Sequence, residues 1–109
     1  MTTIQAGDFW VAEITFTSGA ASKKRPVLIL WIDGNDVVVA VVTSAQPRTQ
    51  TDVALADWAT SGLRVASIVR LSRLDCLENS LLIAKIGHLS DADARKIKQI
   101  WKLYVKPSF

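Results

Sequence analysis

The sequence predicts a mainly β, α+β fold: a succession of short strands followed by one helix at the C-terminal end. Three observations carry that reading. From Phe9 to Phe16 the residues alternate, with Trp10, Ala12, Ile14 and Phe16 on one face and Glu13 and Thr15 on the other, the two-residue period of a strand. Two apolar, largely β-branched runs, Val27 to Ile32 and Val37 to Val42, flank Asp33-Gly34-Asn35-Asp36, a strong hairpin signal because Gly and Asn tolerate positive φ. A clear helical period comes last, after Ser90, where Ala94, Ile97, Trp101 and Tyr104 form one stripe with Ile100 beside it.

Gly7-Asp8 leads into the first strand, and Thr17 to Ser22, small and polar, predicts a mobile loop. That loop delivers the chain to Lys23-Lys24-Arg25. Pro26 fits the first residue of a strand, where no ladder donor is lost in mid-sheet, and the run from Val27 reads as a fully buried strand with the three cations at its mouth. The hairpin then returns Thr43 and Ser44 toward the end where Arg25 starts its strand. Ala45 to Thr51 is a second polar loop, carrying Arg48. A short strand over Asp52 to Leu55 follows, then a helical turn from Ala56 to Ser61 stopped by Gly62. Ala66 to Leu71 reads as a strand, with Ser67, Val69 and Leu71 opposite Ile68 and Arg70. Leu74 to Leu77 is ambiguous, and Leu81 to Gly87 is the last strand. Ser90-Asp91-Ala92-Asp93 is a Ser-x-x-Asp variant of the capping box, and the helix it opens should run to about Val105, before Pro107. This order suggests a small, partly open β-barrel of SH3-like type closed by a helix.

At 109 residues the chain has room for one hydrophobic core, so residues 1–109 are expected to form one domain. Half the residues are hydrophobic and 21% are charged, an ordinary globular composition. A net charge of +3 leans mildly toward anionic partners. Cys76 is the only cysteine, which rules out an intrachain disulfide and fits a reducing compartment; inside an apolar stretch it reads as a small core residue. No basic segment with an apolar region behind it opens the chain, and runs such as Val37 to Val42 are too short to span a bilayer, so a cytoplasmic location without membrane contact is expected.

Neither a Gly-x-x-x-x-Gly-Lys-Ser/Thr loop nor a Gly-x-Gly-x-x-Gly turn occurs, so no nucleotide cofactor is expected. One histidine and one cysteine assemble neither a zinc site nor a cysteine–histidine pair within one chain, and a ribonuclease using two histidines is excluded. His88 reads either as an exposed turn residue or as a general base. The five basic residues Arg95, Lys96, Lys98, Lys102 and Lys106 follow the helix's acids and complement its dipole, which accounts for them without nucleic acid. What remains is Arg25 with Thr43 and Ser44. A guanidinium forks onto phosphate oxygens and can stabilise the charge that builds as a ribose 2′-hydroxyl attacks phosphorus. The two hydroxyls can donate to the same phosphate, and Lys23 and Lys24 add salt-dependent attraction. The alternative is that Lys-Lys-Arg merely flanks a strand and keeps the loop solvated.

These residues resemble the MazF/PemK-like toxins of type II toxin–antitoxin systems. The matching pieces are Gly7-Asp8, Phe16-Thr17, Ser22-Lys23-Lys24-Arg25-Pro26-Val27-Leu28-Ile29, Val42-Thr43-Ser44, Leu63 with Ser67-Ile68-Val69-Arg70-Leu71, and Ile86-Gly87-His88-Leu89-Ser90, in family order. The resemblance implies a CcdB/MazF-type barrel, a homodimer, and cofactor-free, metal-independent cleavage of single-stranded mRNA to a 2′,3′-cyclic phosphate and a 5′-hydroxyl. By that analogy Arg25 is the principal catalytic residue and Thr43 its hydroxyl partner. Ser22, Lys23, Lys24, Ser44, Arg48 and Arg70 are then the RNA-binding set, and Thr17 to Lys24 the segment that a cognate antitoxin blocks. Some family members carry an acid two positions after the strand arginine; here that position is Ser72, with Asp75 three residues further on. The departure keeps open a degenerate relative that binds an antitoxin or another protein, and the same fold keeps open a toxin that contacts DNA gyrase through its terminal helix.

Overall fold

The computed structural model describes residues 3–14 and 23–109. Six strands form one antiparallel sheet: β1 (Asp8–Ile14), β2 (Lys23–Asp33), β3 (Asp36–Thr43), β4 (Asp52–Ala54), β5 (Ile68–Glu78) and β6 (Leu82–His88). A single helical turn, Asn79–Leu81, joins the last two, and helix α1 (Asp91–Tyr104) ends the architecture. The strand order is β4-β5-β3-β2-β1-β6, so β4 and β6 are the two edges and the sheet stays open between them. Mainly β with one C-terminal helix is therefore what forms, and the barrel is a partly open one. Thr15, Phe16 and the loop Thr17 to Ser22 lie outside the described residues.

The central strands bury both faces. Trp10, Ala12 and Ile14 of β1 pack with Val27, Ile29, Val37, Val39 and Leu77 in one cluster. Phe9, Leu28, Ala40, Val42, Val69 and Leu71 point the other way and pack with Ile97 of α1 in a second cluster. A strand covered on both sides must be apolar at successive positions, which is why β2 and β3 read as continuous runs. Burial of β2 is less complete than its apolarity implies: Trp31 and Ile32 are 45% and 49% exposed. Ile29 pairs with Val39 and Trp31 with Val38, so Leu30 is an extra residue, a bulge that re-aims the strand end toward the helix. There the Trp31 ring meets Trp101 edge to face, with centroids 6.0 Å apart.

Asp33 pairs with Asp36 across Gly34-Asn35, closing the expected hairpin with a two-residue loop. Only Gly34 takes positive φ (63°), the pattern of a type II′ turn. The two segments expected at 66–71 and 74–77 prove to be one strand, β5, which starts only at Ile68. Its continuity is hidden by a large bulge: Val41 faces Arg70 but Ala40 faces Leu74, leaving Leu71, Ser72 and Arg73 unmatched. The Leu71 N–H turns instead to the Thr51 carbonyl, 3.0 Å away. Cys76, placed in the core by its apolar neighbours, is exposed on β5, because Leu77 takes the inward position. In α1, Ile97 is buried, whereas Tyr104, assigned to the core stripe, is 42% exposed in the last turn, beyond the reach of the sheet.

The segment from Ala56 to Ser61 is the single helical turn expected, with Ser61 N–H donating to the Asp57 carbonyl (3.0 Å), and it does not extend into a helix. Leu63 N–H donates to the Trp58 carbonyl (3.0 Å) and Gly62 N–H to Ala59 (3.2 Å), with Gly62 at φ 93°. That is the Schellman pattern of a helix end, formed here without the helix. The turn lies directly on β6: a Cβ on Gly87 would run into the Ser61 carbonyl, and one on Gly62 into the Ile86 carbonyl. Gly87→Ala sets backbone against side chain with nothing flexible to yield, so it should destabilise by about 2–3 kcal/mol, the upper part of the range for overpacking. Gly34→Ala meets nothing within 4 Å and carries only the cost of its φ, about 1 kcal/mol. Urea midpoints for the two variants should fall in that order.

Candidate active site

Two strands part at the site. The β2–β3 ladder runs from Asp33/Asp36 only as far as Val27/Val41. Beyond it β2 keeps to β1, with Pro26 opposite Val11, Arg25 opposite Ala12 and Lys24 opposite Glu13. β3 keeps to β5, with Val42 opposite Val69 and Thr43 opposite Ile68. Pro26 has no N–H to extend the ladder toward β3, so the strands diverge there and leave two clefts between them. The Lys-Lys-Arg cluster is thus inside β2, paired with β1, and not at the mouth of a strand that begins at Pro26.

Arg25 and Thr43 line both clefts, which makes them the wall between the two. One cleft, about 250 Å³, gathers Arg25, Arg48, Arg70 and Arg73 around Thr43, Ile14 and Val41. The other, about 510 Å³, is mostly apolar, with Val11, Pro26, Val42, Leu63, Val65 and Ile86 around Arg25, Thr43, Ser44, Ser67 and Arg64. Arg70 is only 8% exposed, and no carboxylate among the described residues lies within ion-pair distance of it. Buried arginines are ordinarily paired with a carboxylate, which makes this one a candidate anion contact. Thr43 Oγ1 accepts from Ala45 N–H (3.2 Å), which fixes the rotamer and leaves its proton to donate. Arg48 is held by its own backbone, its N–H donating to Asp52 Oδ2 at 2.8 Å.

Of the residues expected at the site, Arg25, Thr43, Ser44, Arg48 and Arg70 come together. Lys23 and Lys24 are exposed on β2 and line neither cleft, and Ser22 lies outside the described residues. Sequence reading missed Arg73, delivered by the β5 bulge, and Arg64, carried by the segment after Gly62; only the folded arrangement places them at the clefts. Ser72 is exposed in the bulge. Asp75 faces Val39 and accepts from the Cys76 N–H (2.9 Å), away from both clefts. Among the described residues no carboxylate or imidazole lines either cleft.

His88 ends β6 opposite Asp8, four residues along β1 from the partner of Arg25, roughly 13 Å at the rise of a strand. Its Nδ1 lies 2.8 Å from Asp8 Oδ1, so it is neither a turn residue nor a base for the clefts. Asp8 is fully buried and also accepts from Gln5 N–H (2.9 Å) and the Trp10 indole (3.4 Å), with Lys85 Nζ at 3.5 Å. A second buried carboxylate, Asp93, stands in the first turn of α1. Ser90 caps the helix as expected, accepting from Asp93 N–H at 3.2 Å. The Asp93 side chain does not return to the cap: its two oxygens accept from Ala56 N–H and Asp57 N–H, both at 2.9 Å. It thereby pins to the helix the turn whose far end lines the larger cleft.

A small curled β-sheet with a guanidinium-rich cleft at its strand ends defines the class of fold. The family model of PemK-like, MazF-like toxins of type II toxin–antitoxin systems matches residues 5–104, and the chain belongs to that family. Similar solved structures include an endoribonuclease in complex with its cognate antitoxin from a mycobacterial species (TM-score 0.77, 18% identity, 96% of this chain and 98% of that one). The Mycobacterium tuberculosis toxin MazF-mt6 has a TM-score of 0.73 at 23% identity over 92% and 98%. MazE–MazF from Deinococcus radiodurans gives 0.74 at 17% identity over 98% and 100%. No curated protein matches the sequence. Among the described residues no helix is long and apolar enough to cross a membrane.

Asp93→Ala leaves two part-buried N–H groups without their acceptor and should lower stability by about 1–3 kcal/mol. Hydrogen exchange at Ala56 and Asp57 should rise more than at the core of β3. At Asp8, burial pushes the carboxyl up, but His88, Gln5, Trp10 and Lys85 outweigh it and hold the group below its ordinary 3.8. A depressed carboxyl stabilises the fold above that value and ceases to do so as pH falls through the folded one. Asp8→Asn should therefore be less stable at neutral pH and show a flatter loss of stability below about pH 4 in acid titrations followed by circular dichroism.

Proposed function

We propose that this chain is the ribonuclease toxin of a toxin–antitoxin pair, an endoribonuclease that cuts single-stranded mRNA without a metal. The observation that carries the reading is the shared wall of Arg25 and Thr43 beside a buried, carboxylate-free Arg70. A scissile phosphate at that wall would lie against Arg25, which stabilises the charge of the phosphorane, while Thr43 and Ser44 donate to its oxygens. The ribose 2′-oxygen forms a bond to phosphorus as the bond to the 5′-oxygen breaks. The 2′-proton passes to solvent, the 5′-oxygen takes one up, and the products are a 2′,3′-cyclic phosphate and a 5′-hydroxyl. Arg48 and Arg70 would hold neighbouring phosphates. Lys23 and Lys24, exposed beside them, would add diffuse attraction, with Ser22 at the start of that stretch. Guanidinium groups supply the charge neutralisation that a metal supplies elsewhere, which supports metal independence.

An antitoxin protein would occupy the same clefts; a similar endoribonuclease is known in complex with its cognate antitoxin. Homodimerisation and a cytoplasmic location belong to the same proposal. The exposed Trp31, beside Trp101, offers apolar surface for a second copy to cover. Ser72 favours one other reading, a relative that has kept antitoxin binding and lost cleavage.

The test is incubation of the purified protein with a long single-stranded RNA in EDTA, beside Arg25→Ala. The parent should make discrete cuts bearing 5′-hydroxyls. Arg25→Ala, folded by circular dichroism, should cut about 10²–10³-fold more slowly. No cuts by an antitoxin-free parent, or equal cutting by the variant, would overturn the assignment.

A further inference from the structure

Two clefts of unlike chemistry meet at one residue pair, and that division has a use. The smaller is cationic and the larger mostly apolar, yet Arg25 and Thr43 belong to both. A nucleotide chain has the same two-sided character: its phosphates are anionic and its bases present flat, weakly polar faces. Resting on the ribonuclease reading, we infer that the larger cleft is the base-selecting pocket, taking the unstacked base next to the scissile phosphate, and that residues 62–67 form its selecting wall. Arg73 is assigned to the other cleft, as a phosphate contact beyond those of Arg48 and Arg70.

The larger cleft has the properties such a pocket needs. Its volume, about 510 Å³, falls within the usual range for small-ligand sites, and its walls (Val11, Pro26, Leu63, Val65) are apolar with few polar groups. Among the described residues no aromatic ring lines it, so a base face would lie against the apolar side chains of Val11, Leu63 and Val65. Arg64, also in the lining, would present its guanidinium donors to acceptors on the base edge. Val65, 54% exposed, is an apolar side chain at the rim with no place in either core cluster.

Selection also needs a wall that does not yield, since a pocket that adapts cannot reject the wrong base. Residues 62–67 are held from several sides. Gly62 is pressed on the Ile86 carbonyl and Gly87 on the Ser61 carbonyl. Asp93 fixes the start of the turn through two N–H groups, and Ser67 Oγ donates to the Val65 carbonyl at 2.8 Å. Leu55 N–H donates to the Ser67 carbonyl (3.0 Å), tying the segment's end to the β4 side. Arg64 and Val65 are thus exposed side chains on a clamped backbone, the combination that suits contact with a ligand better than service to the fold.

The experiment maps cuts in a random-sequence RNA library by end sequencing, for the parent and for Arg64→Ala, Val65→Trp and Arg73→Ala. Binding to an RNA with 2′-deoxy sugars, which cannot be cleaved, is measured in parallel. Arg64→Ala should flatten the base preference beside the cut. Val65→Trp, filling the cleft, should cut the parent's preferred sites roughly 10–100-fold more slowly and shift the preference. Arg73→Ala should weaken all sites alike, keep the motif, and reduce the salt slope of binding by about 0.7. If Arg64→Ala and Val65→Trp both retain the parent's motif and rates, the cleft assignment fails while the ribonuclease reading stands. A changed motif in Arg73→Ala would equally overturn the division. A parent that cuts nothing removes the ribonuclease reading, and the pocket with it.

Discussion

Burial of the central strands on both faces is the constraint from which the rest of this structure follows. One helix of 14 residues can cover only one side of a six-stranded sheet. The other side has to be covered by the sheet itself, which curls so that Trp10, Ile14, Val27, Ile29, Val39 and Leu77 meet. Curling requires local breaks in pairing, and these occur as bulges at Leu30 and at Leu71-Ser72-Arg73. Both have consequences beyond shape. The first brings Trp31 onto Trp101; the second delivers Arg73 to the cationic cleft.

The same constraint explains where polar chemistry is admitted. Between Val27 and Ile29 on β2, or Val37 and Val42 on β3, a charged side chain would enter one core or the other. On β2 and β3 polar side chains appear only outside those stretches, and Arg25 and Thr43 stand just past the point where the ladder stops and the strands diverge. The helix reaches the site by a different route. Its buried Asp93 holds the turn at Ala56 and Asp57, and the Schellman geometry at Gly62 carries that rigidity to Arg64 and Val65.

Features fixed by short-range pattern were legible in the sequence: the alternation in β1, the Gly34-Asn35 hairpin, the Ser90 cap, and the return of Thr43 toward Arg25. Each depends on residues within a few positions of one another. Features fixed by tertiary pairing were not legible. Nothing local distinguishes Asp93 as a tether from Asp93 as half of a capping box, because the Ser-x-x-Asp spacing serves both. Cys76 has apolar neighbours whichever way its strand faces. The continuity of β5 was obscured because its bulge breaks the two-residue period at Ser72 and Arg73. His88 became intelligible only once β6 was seen to lie beside β1 and Asp8.

The arginine cluster is a burden on the fold by itself. Four guanidiniums share a cleft of about 250 Å³, one of them nearly buried, with no carboxylate in the lining among the described residues. Like charges held together repel, and burying one adds a desolvation cost that hydrogen bonds to neutral groups only partly offset. Sequences retain such arrangements where an external anion completes them. An anion that enters the cleft relieves the repulsion, so its binding energy is also stabilisation of the strand ends that carry Arg25, Arg70 and Arg73. An acidic protein segment would draw on the same relief as RNA phosphate, and the two would then exclude each other by charge as well as by shape.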